Sequence, residues 1–398
     1  TVNTGATING TGTIVYSTGI RALVYNGTAS RTAGIEWPTS AAPLTVSIGS
    51  SAIVTLSANN NTNTTLTVDG VLNASTFSIS GSGTVNINGT FITQNLNGLI
   101  GTGAAFNGTS PTINLGAFST IEYAATSGSQ VITTSPSYVN LILSSGGTKT
   151  AASVLSISGT LTISGATTFN AGNSAIGGSG TNLTMTGTSR YIQAGTGTRP
   201  NATGTYTLAT TSTIEFSNTA GTQQDIRLAP TYANIDISGS NIGLFGTSST
   251  LTLQSGSTFT VKSSGTFNVK NTNGFSGASN TAISNTNSPT ITLETGSTVN
   301  YNHIDQPITP GLTYSNITLA GSGVKTAASA FTINGILTLS GTASLGTTSP
   351  TFGATGTLAY VNTNDAVTYT EALEWPTING PANITVNLRG ASNPSVVI

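Results

Sequence analysis

The side chains able to do acid–base or metal chemistry near neutral pH are few: eleven Asp and Glu, one His and no Cys. Glycoside cleavage needs two carboxyl groups about 5–9.5 Å apart. Glu122 and Glu215 occupy the same place in a repeated motif, and Asn300 stands there in its third copy. A catalytic pair has no reason to recur with a repeat, so these acids read as solvated outward strand residues. Asp225 and Asp236 lie close in sequence without a basic cluster beside them. His303 is the only histidine, which leaves a Ser-His-Asp triad without converging partners and a His-rich metal site impossible. Calcium loops of the Gly/Asp nonapeptide type need repeated Asp, which is missing. Glycine-rich runs lack the Lys and the strand–helix context of a phosphate loop. The expectation is therefore no catalytic, cofactor-binding or metal-binding residue, and no enzyme.

The candidates for ligand contact are aromatic and hydroxylic. Trp37 and Trp375 close the motifs "IEWP" (Ile35–Pro38) and "LEWP" (Leu373–Pro376). Indole rings stack on sugar rings, but recurrence at one repeat position before a proline favours structural plugs at a bend. Thr-x-Thr pairs (Thr65/Thr67, Thr160/Thr162, Thr250/Thr252, Thr258/Thr260, Thr290/Thr292) are the kind of outward ladder that orders water, or simply the polar half of an alternating strand. Sequons such as Asn26-Gly-Thr28 and Asn88-Gly-Thr90 are numerous, as the composition alone dictates.

What would position such residues follows from the rest of the chain. Only 5% of residues are charged and the net charge is -1, against about 25% charged in an ordinary globular domain. That excludes an electrostatic footprint for nucleic acid and a basic patch for a membrane surface. No run of 18 apolar residues suggests a membrane helix. The absence of Cys from a Thr/Ser/Asn/Gly-rich chain suits export by a bacterium without oxidative folding.

Disorder is excluded by the regular spacing of apolar residues. Segments such as Phe77–Ile79, Val85–Ile87, Leu155–Ile157, Leu161–Ile163 and Phe259–Val261 alternate apolar and polar residues, and alternate side chains of a strand face opposite ways. Leu161, Ile163, Leu337 and Leu339 are expected inside, with Thr162 and Thr338 outside. Gly-containing turns break the strands every few residues, and no segment shows a helical period.

A motif recurs three times. Its copies run from "STIEY" (Ser119–Tyr123) with Gln130, Ile132, Pro136, Tyr138 and "NLIL" (Asn140–Leu143); from "STIEF" (Ser212–Phe216) with Gln224, Ile226, Pro230, Tyr232 and "NIDI" (Asn234–Ile237); and from "STVNY" (Ser297–Tyr301) with Gln306, Ile308, Pro310, Tyr314 and "NITL" (Asn316–Leu319). "GTIVY" (Gly12–Tyr16) and "GTLAY" (Gly356–Tyr360) lead to the two Trp motifs and flank the three. "GTKTAASVLSISGTLTISG" (Gly147–Gly165) returns as "GVKTAASAFTINGILTLSG" (Gly323–Gly341). The units, about 12–118, 119–211, 212–296, 297–355 and 356–398, vary in length. A solenoid adds or drops a coil at small cost because each coil touches only its neighbours. The predicted fold is therefore all-β, one continuous parallel β-helix over 1–398, favoured over β-sandwiches in series. At roughly 20 residues per coil it makes about 20 coils.

The wording from Ser119 to Gly165 resembles repeats of very large secreted surface proteins of Bacteroidetes, the gliding-motility and adhesin-like proteins exported by the type IX system. Tyr123, Gln130, Pro136, Tyr138, Asn140, Leu143 and Lys149 carry the resemblance, and the second copy departs at Lys149, near whose place stands Asn241. The resemblance implies a location outside the cell, at the bacterial surface or in a filament, and no catalytic residue. The expected role is a structural, adhesive segment whose partners are surface glycans or further copies of itself, with no nucleic acid, membrane insertion or cofactor. The alternative is a carbohydrate-binding or carbohydrate-processing β-helix. "PTINGPANITVNL" (Pro376–Leu388) parallels "PTSAAPLTVSI" (Pro38–Ile48), so a parent protein continuing on both sides is also expected.

Overall fold

The computed structural model describes residues 21–39, 44–81, 83–108, 111–362, 368–370, 372–388 and 395–397. Among them there is no α-helix, and all the strand pairs described here are parallel. Parallel ladders between successive short strands form a β-solenoid and are incompatible with the antiparallel sheets of serial sandwiches. The chain divides into two compact units, residues 1–192 with 201–212, and residues 193–200 with 213–398.

In the first unit, nine strands form the longest ladder: Ser30–Thr32, Ile53–Thr55, Val71–Asn73, Thr90–Thr93, Thr120–Tyr123, Asn140–Leu143, Thr160–Ile163, Asn182–Met185 and Tyr206–Leu208. A second ladder runs from Arg21–Tyr25 through Leu44–Ile48, Thr65–Val68 and Thr84–Ile87 to Thr112–Leu115. In the second unit the nine-stranded ladder runs from Gly197–Arg199 through Gln224–Ile226, Ile242–Gly243, Thr266–Val269, Thr298–Tyr301, Asn316–Leu319, Ile336–Ser340 and Thr357–Asn362 to Asn383–Leu388.

The register explains the sequence alternation. Leu141 pairs with Leu161 and Leu161 with Leu183, while Ile317 pairs with Leu337 and Leu337 with Leu358. These columns are buried, as are Ile163 and Leu339. Thr162 and Thr338 sit between them on the outward side, half-buried by the strands above and below. Each inward leucine thus removes its side chain from water against copies of itself, worth about 1.5–3 kcal/mol per residue.

The coils are longer than predicted. Pairing steps span 18 residues from Val299 to Ile317 and 20 from Leu141 to Leu161, but 30 from Phe91 to Ile121 and 32 from Phe259 to Ile291. The solenoid therefore has about 16 turns rather than 20. Both long coils open on the same loop, Asn95-x-Asn97-Gly98 and Asn271-x-Asn273-Gly274. In each the first Asn donates Nδ2 to a carbonyl further on (Gly103 O, 2.8 Å; Asn280 O, 3.0 Å) and accepts the amide two residues ahead (2.9 and 2.8 Å). The glycine then turns with φ of +87° and +91°, in contact with a neighbouring carbonyl that a Cβ would strike. The two loops lie 176 residues apart, the same shift as the long repeated phrase.

Candidate functional site

The repeated residues come together inside the solenoid. In the first copy the Tyr123 and Tyr138 hydroxyls meet at 2.8 Å, Tyr138 donates to Thr133 O (2.6 Å), and Thr133 N donates to Tyr123 (3.3 Å). The third copy repeats this with Tyr301 and Tyr314 at 2.8 Å, Tyr314 donating to Thr309 O (3.0 Å) and Thr309 N to Tyr301 (3.1 Å). Both ring pairs cross edge to face. Burial pushes all four phenols above the usual tyrosine range, Tyr138 and Tyr314 furthest. In the middle copy Phe216 replaces the first tyrosine; the edge-to-face pair with Tyr232 persists and Tyr232 donates to Arg227 O (2.8 Å).

The motif glutamine bridges coils. Gln130 donates Nε2 to Thr93 O and Asn95 O (both 3.0 Å) and accepts Ala125 N (3.1 Å). Gln306 does the same with Val269 O (2.9 Å), Asn271 O (2.7 Å) and His303 N (3.3 Å). Gln224 reaches Gln193 O (2.9 Å) and Asn218 N (3.3 Å). These carbonyls belong to the previous coil and already accept a backbone amide, so each buried glutamine staples one turn to the next as a second donor and gives one buried N–H its acceptor.

Next in the ladder to the glutamine sits a lysine. Gln130 pairs with Lys149 and Gln306 with Lys325, and both lysines are 0% exposed. Lys149 Nζ donates to Ala125 O (2.5 Å) and Gly146 O (2.7 Å); Lys325 Nζ donates to His303 O, Ile304 O (2.7 Å) and Ser322 O (2.8 Å). Their ammonium groups are held by carbonyl oxygens. Burial lowers both pKa values to about 8, with the Asp305 carboxylate opposing the shift at Lys325. In the middle copy the ladder partner of Gln224 is Ile242, and the preceding Asn241 donates Nδ2 to Gly221 O (2.7 Å). One residue earlier, a shorter side chain takes over the lysine's donation to turn carbonyls.

The tryptophan motifs are built alike. Glu36 accepts the Tyr25 hydroxyl (2.8 Å) and Gly34 N (2.9 Å), while Glu374 accepts the Tyr360 hydroxyl (3.2 Å). Trp37 is 1% exposed, packs against Tyr25 and donates Nε1 to Asn61 O (3.2 Å). A ring so enclosed offers no face to a sugar, which corrects its candidacy as a stacking platform and makes it a plug. Trp375 is half-buried. The tyrosine that belongs with Glu36 is Tyr25; Tyr16 and the rest of Gly12–Tyr16 lie outside the described residues.

Glu122, Glu215 and Asp225 are half-buried on their strands, while Asp236 is only 9% exposed. Glu122 accepts Ser144 Oγ (2.5 Å) and Glu215 accepts Ser238 Oγ. Glu215 stands beside Asp236 in register, a juxtaposition of carboxylates that sequence spacing did not reveal. Asp225 accepts Gln223 Nε2 (2.6 Å). His303 contributes its backbone to Gln306 and Lys325. The Thr-x-Thr pairs flank inward Leu, Phe or Ile residues and are half-buried or exposed, except Thr260, which is 8% exposed. No group of three metal-ligating acids, His or Cys occurs among the described residues. No family model matches the chain, and no curated protein or solved structure matches it.

Proposed function

We propose that the chain is a non-enzymatic structural and adhesive segment of a bacterial cell-surface or filament protein, with surface glycans or other copies of itself as partners. The supporting observation is where the repeated residues spend their chemistry. Tyr123, Gln130 and Lys149, with Tyr301, Gln306 and Lys325, direct every polar group at backbone or at one another inside the coil. Repetition of such residues repeats a scaffold. A hydroxyl- and amide-rich exterior with few charges suits a surface exposed to salt and to polysaccharide.

Antibodies raised against the purified chain should label intact, unpermeabilised cells that produce it. Labelling only after lysis would overturn the surface reading. The second reading, carbohydrate processing, draws on the neighbouring carboxylates Glu215 and Asp236. Incubation with a panel of polysaccharides should release no oligosaccharide; release that disappears in Glu215→Gln would replace the structural reading with an enzymatic one.

A further inference from the structure

We propose that the outward face around Asp225 and Phe245 in the second unit is a binding site for a neutral saccharide, an inference that rests on the adhesive half of the function above. Phe245 is 80% exposed. It lies two residues past Gly243, in the bend that follows the short strand Ile242–Gly243. Gly243 is paired in the ladder with Asp225 on one side and Asn268 on the other.

Asp225 is fixed from behind by a chain of amides that crosses successive turns. Gln223 Nε2 donates to Asp225 Oδ1 at 2.6 Å, and Asn268 Nδ2 donates to Gln223 Oε1 at 3.3 Å and to Asn241 Oδ1 at 2.9 Å. Asn300 extends the chain by donating to Asn268 Oδ1 at 2.9 Å. Gln223 also leans over the bare Gly243, where a Cβ would come within 3.0 Å of its amide, and approaches Leu244 O, the carbonyl next to Phe245, at 3.5 Å. Asn268 is buried and Asp225 is half-buried. The result is a half-buried carboxylate with a set orientation, paired in the ladder with Gly243, two residues before an exposed aromatic ring.

That pairing matches sugar chemistry. A pyranose ring presents one C–H-rich face, which packs on an aromatic ring, and hydroxyls at its edge, which donate to a fixed carboxylate. A carboxylate held in place loses little freedom on binding. The negative charge of Asp225 disfavours uronates, so the ligand class is neutral.

The test is calorimetric titration of the whole chain with cellohexaose, xylohexaose, chitohexaose and, as the anionic control, hexagalacturonate. At least one neutral hexasaccharide should bind, and Phe245→Ala and Asp225→Ala should each weaken it about tenfold or more. Phe118→Ala, at an equally exposed phenylalanine of the first unit (88%), should leave binding unchanged. Melting temperatures of all three variants should match the parent, since the side chains removed are outside the core. The site is refuted if no neutral hexasaccharide binds, if Phe245→Ala binds as well as the parent, or if hexagalacturonate is preferred. Surface labelling with intact saccharide binding in Phe245→Ala would sink this site and leave the surface reading standing; the reverse pattern would do the opposite.

Discussion

The first and third copies of the repeat solve the turn corner with two tyrosines, a glutamine and a buried lysine. The middle copy solves it with one tyrosine, a phenylalanine, a glutamine and an asparagine displaced by one residue. The inward Leu and Ile columns and the edge-to-face rings are common to both solutions. What the difference teaches is a hierarchy. Ring packing and the coil-bridging glutamine are required by the shape of the turn. The means of satisfying the last carbonyls is negotiable, because any donor that reaches them will serve.

The largest effect probes what the copies share. Leu161→Asp and Leu337→Asp bury an unpartnered carboxylate and should each cost about 4 kcal/mol or more. Thr162→Asp should be nearly neutral in a urea melt. Thr260→Asp, at the matching place after the middle copy, should cost more than Thr162→Asp, since Thr260 is buried and stands beside Asp236. Equal effects at Leu161 and Thr162 would break the inward–outward assignment.

Next come the glutamines. Gln130→Ala and Gln306→Ala each strand one backbone N–H and remove the second donor from two carbonyls, while Gln224→Ala strands one N–H and removes the second donor from one. The stranded N–H costs about 1–3 kcal/mol in every copy, and with one inter-coil bond to lose instead of two the middle copy should be the most tolerant. An equal loss at all three, measured by chemical denaturation, would show that the glutamine acts through packing alone.

The third test transplants one solution into the other. Lys149→Ile should cost about 1–2 kcal/mol by leaving Ala125 O and Gly146 O without a donor. Adding Thr148→Asn should restore most of it by supplying the middle copy's amide. In the opposite direction, Phe216→Tyr should gain about 0.5–1 kcal/mol by adding the missing hydroxyl pair. A destabilised Phe216→Tyr would mean that the middle turn has no room for the second hydroxyl.

The smallest effect is on pH. Lys149 and Lys325 titrate near 8 in the fold and near 10.4 unfolded. Between those values the unfolded chain holds more protons, so their contribution to stability is least below pH 8 and improves as pH rises toward about 10. The buried tyrosines act oppositely above about pH 10, where the unfolded phenols ionise first. The melting temperature should rise slightly from pH 7 to 9.5. It should lose that slope in the Lys149→Ile/Lys325→Ile double variant.

Much of this was legible. Alternation at Leu161–Ile163 and variable unit lengths sufficed for a parallel solenoid, because burial in a strand has a period of two and a coil touches only its neighbours. Coil number was misjudged because loops such as Asn95–Gly98 and Asn271–Gly274 lengthen a coil without disturbing its register. The signal was present, since both loops carry the same Asn-x-Asn-Gly. The roles of Gln130 and Lys149 were not legible. Polar residue types signal surface by default, and only the paired carbonyls of a neighbouring turn reveal that these two are inside. The amide chain behind Asp225 was hidden for a similar reason: residues 223, 225, 241 and 268 meet through ladder register, not sequence proximity.

The enclosure of Lys149 and Lys325 also bears on proteolysis. The chain has only ten basic residues, and these two are sealed within rungs whose amides are committed to neighbouring strands. A trypsin-like protease needs a basic side chain and several flexible residues around it in its cleft. At Lys149 and Lys325 it would have to peel a coil from the stack before it could bind, and so the same two amines that satisfy the turns also withdraw two of the chain's few tryptic sites from attack.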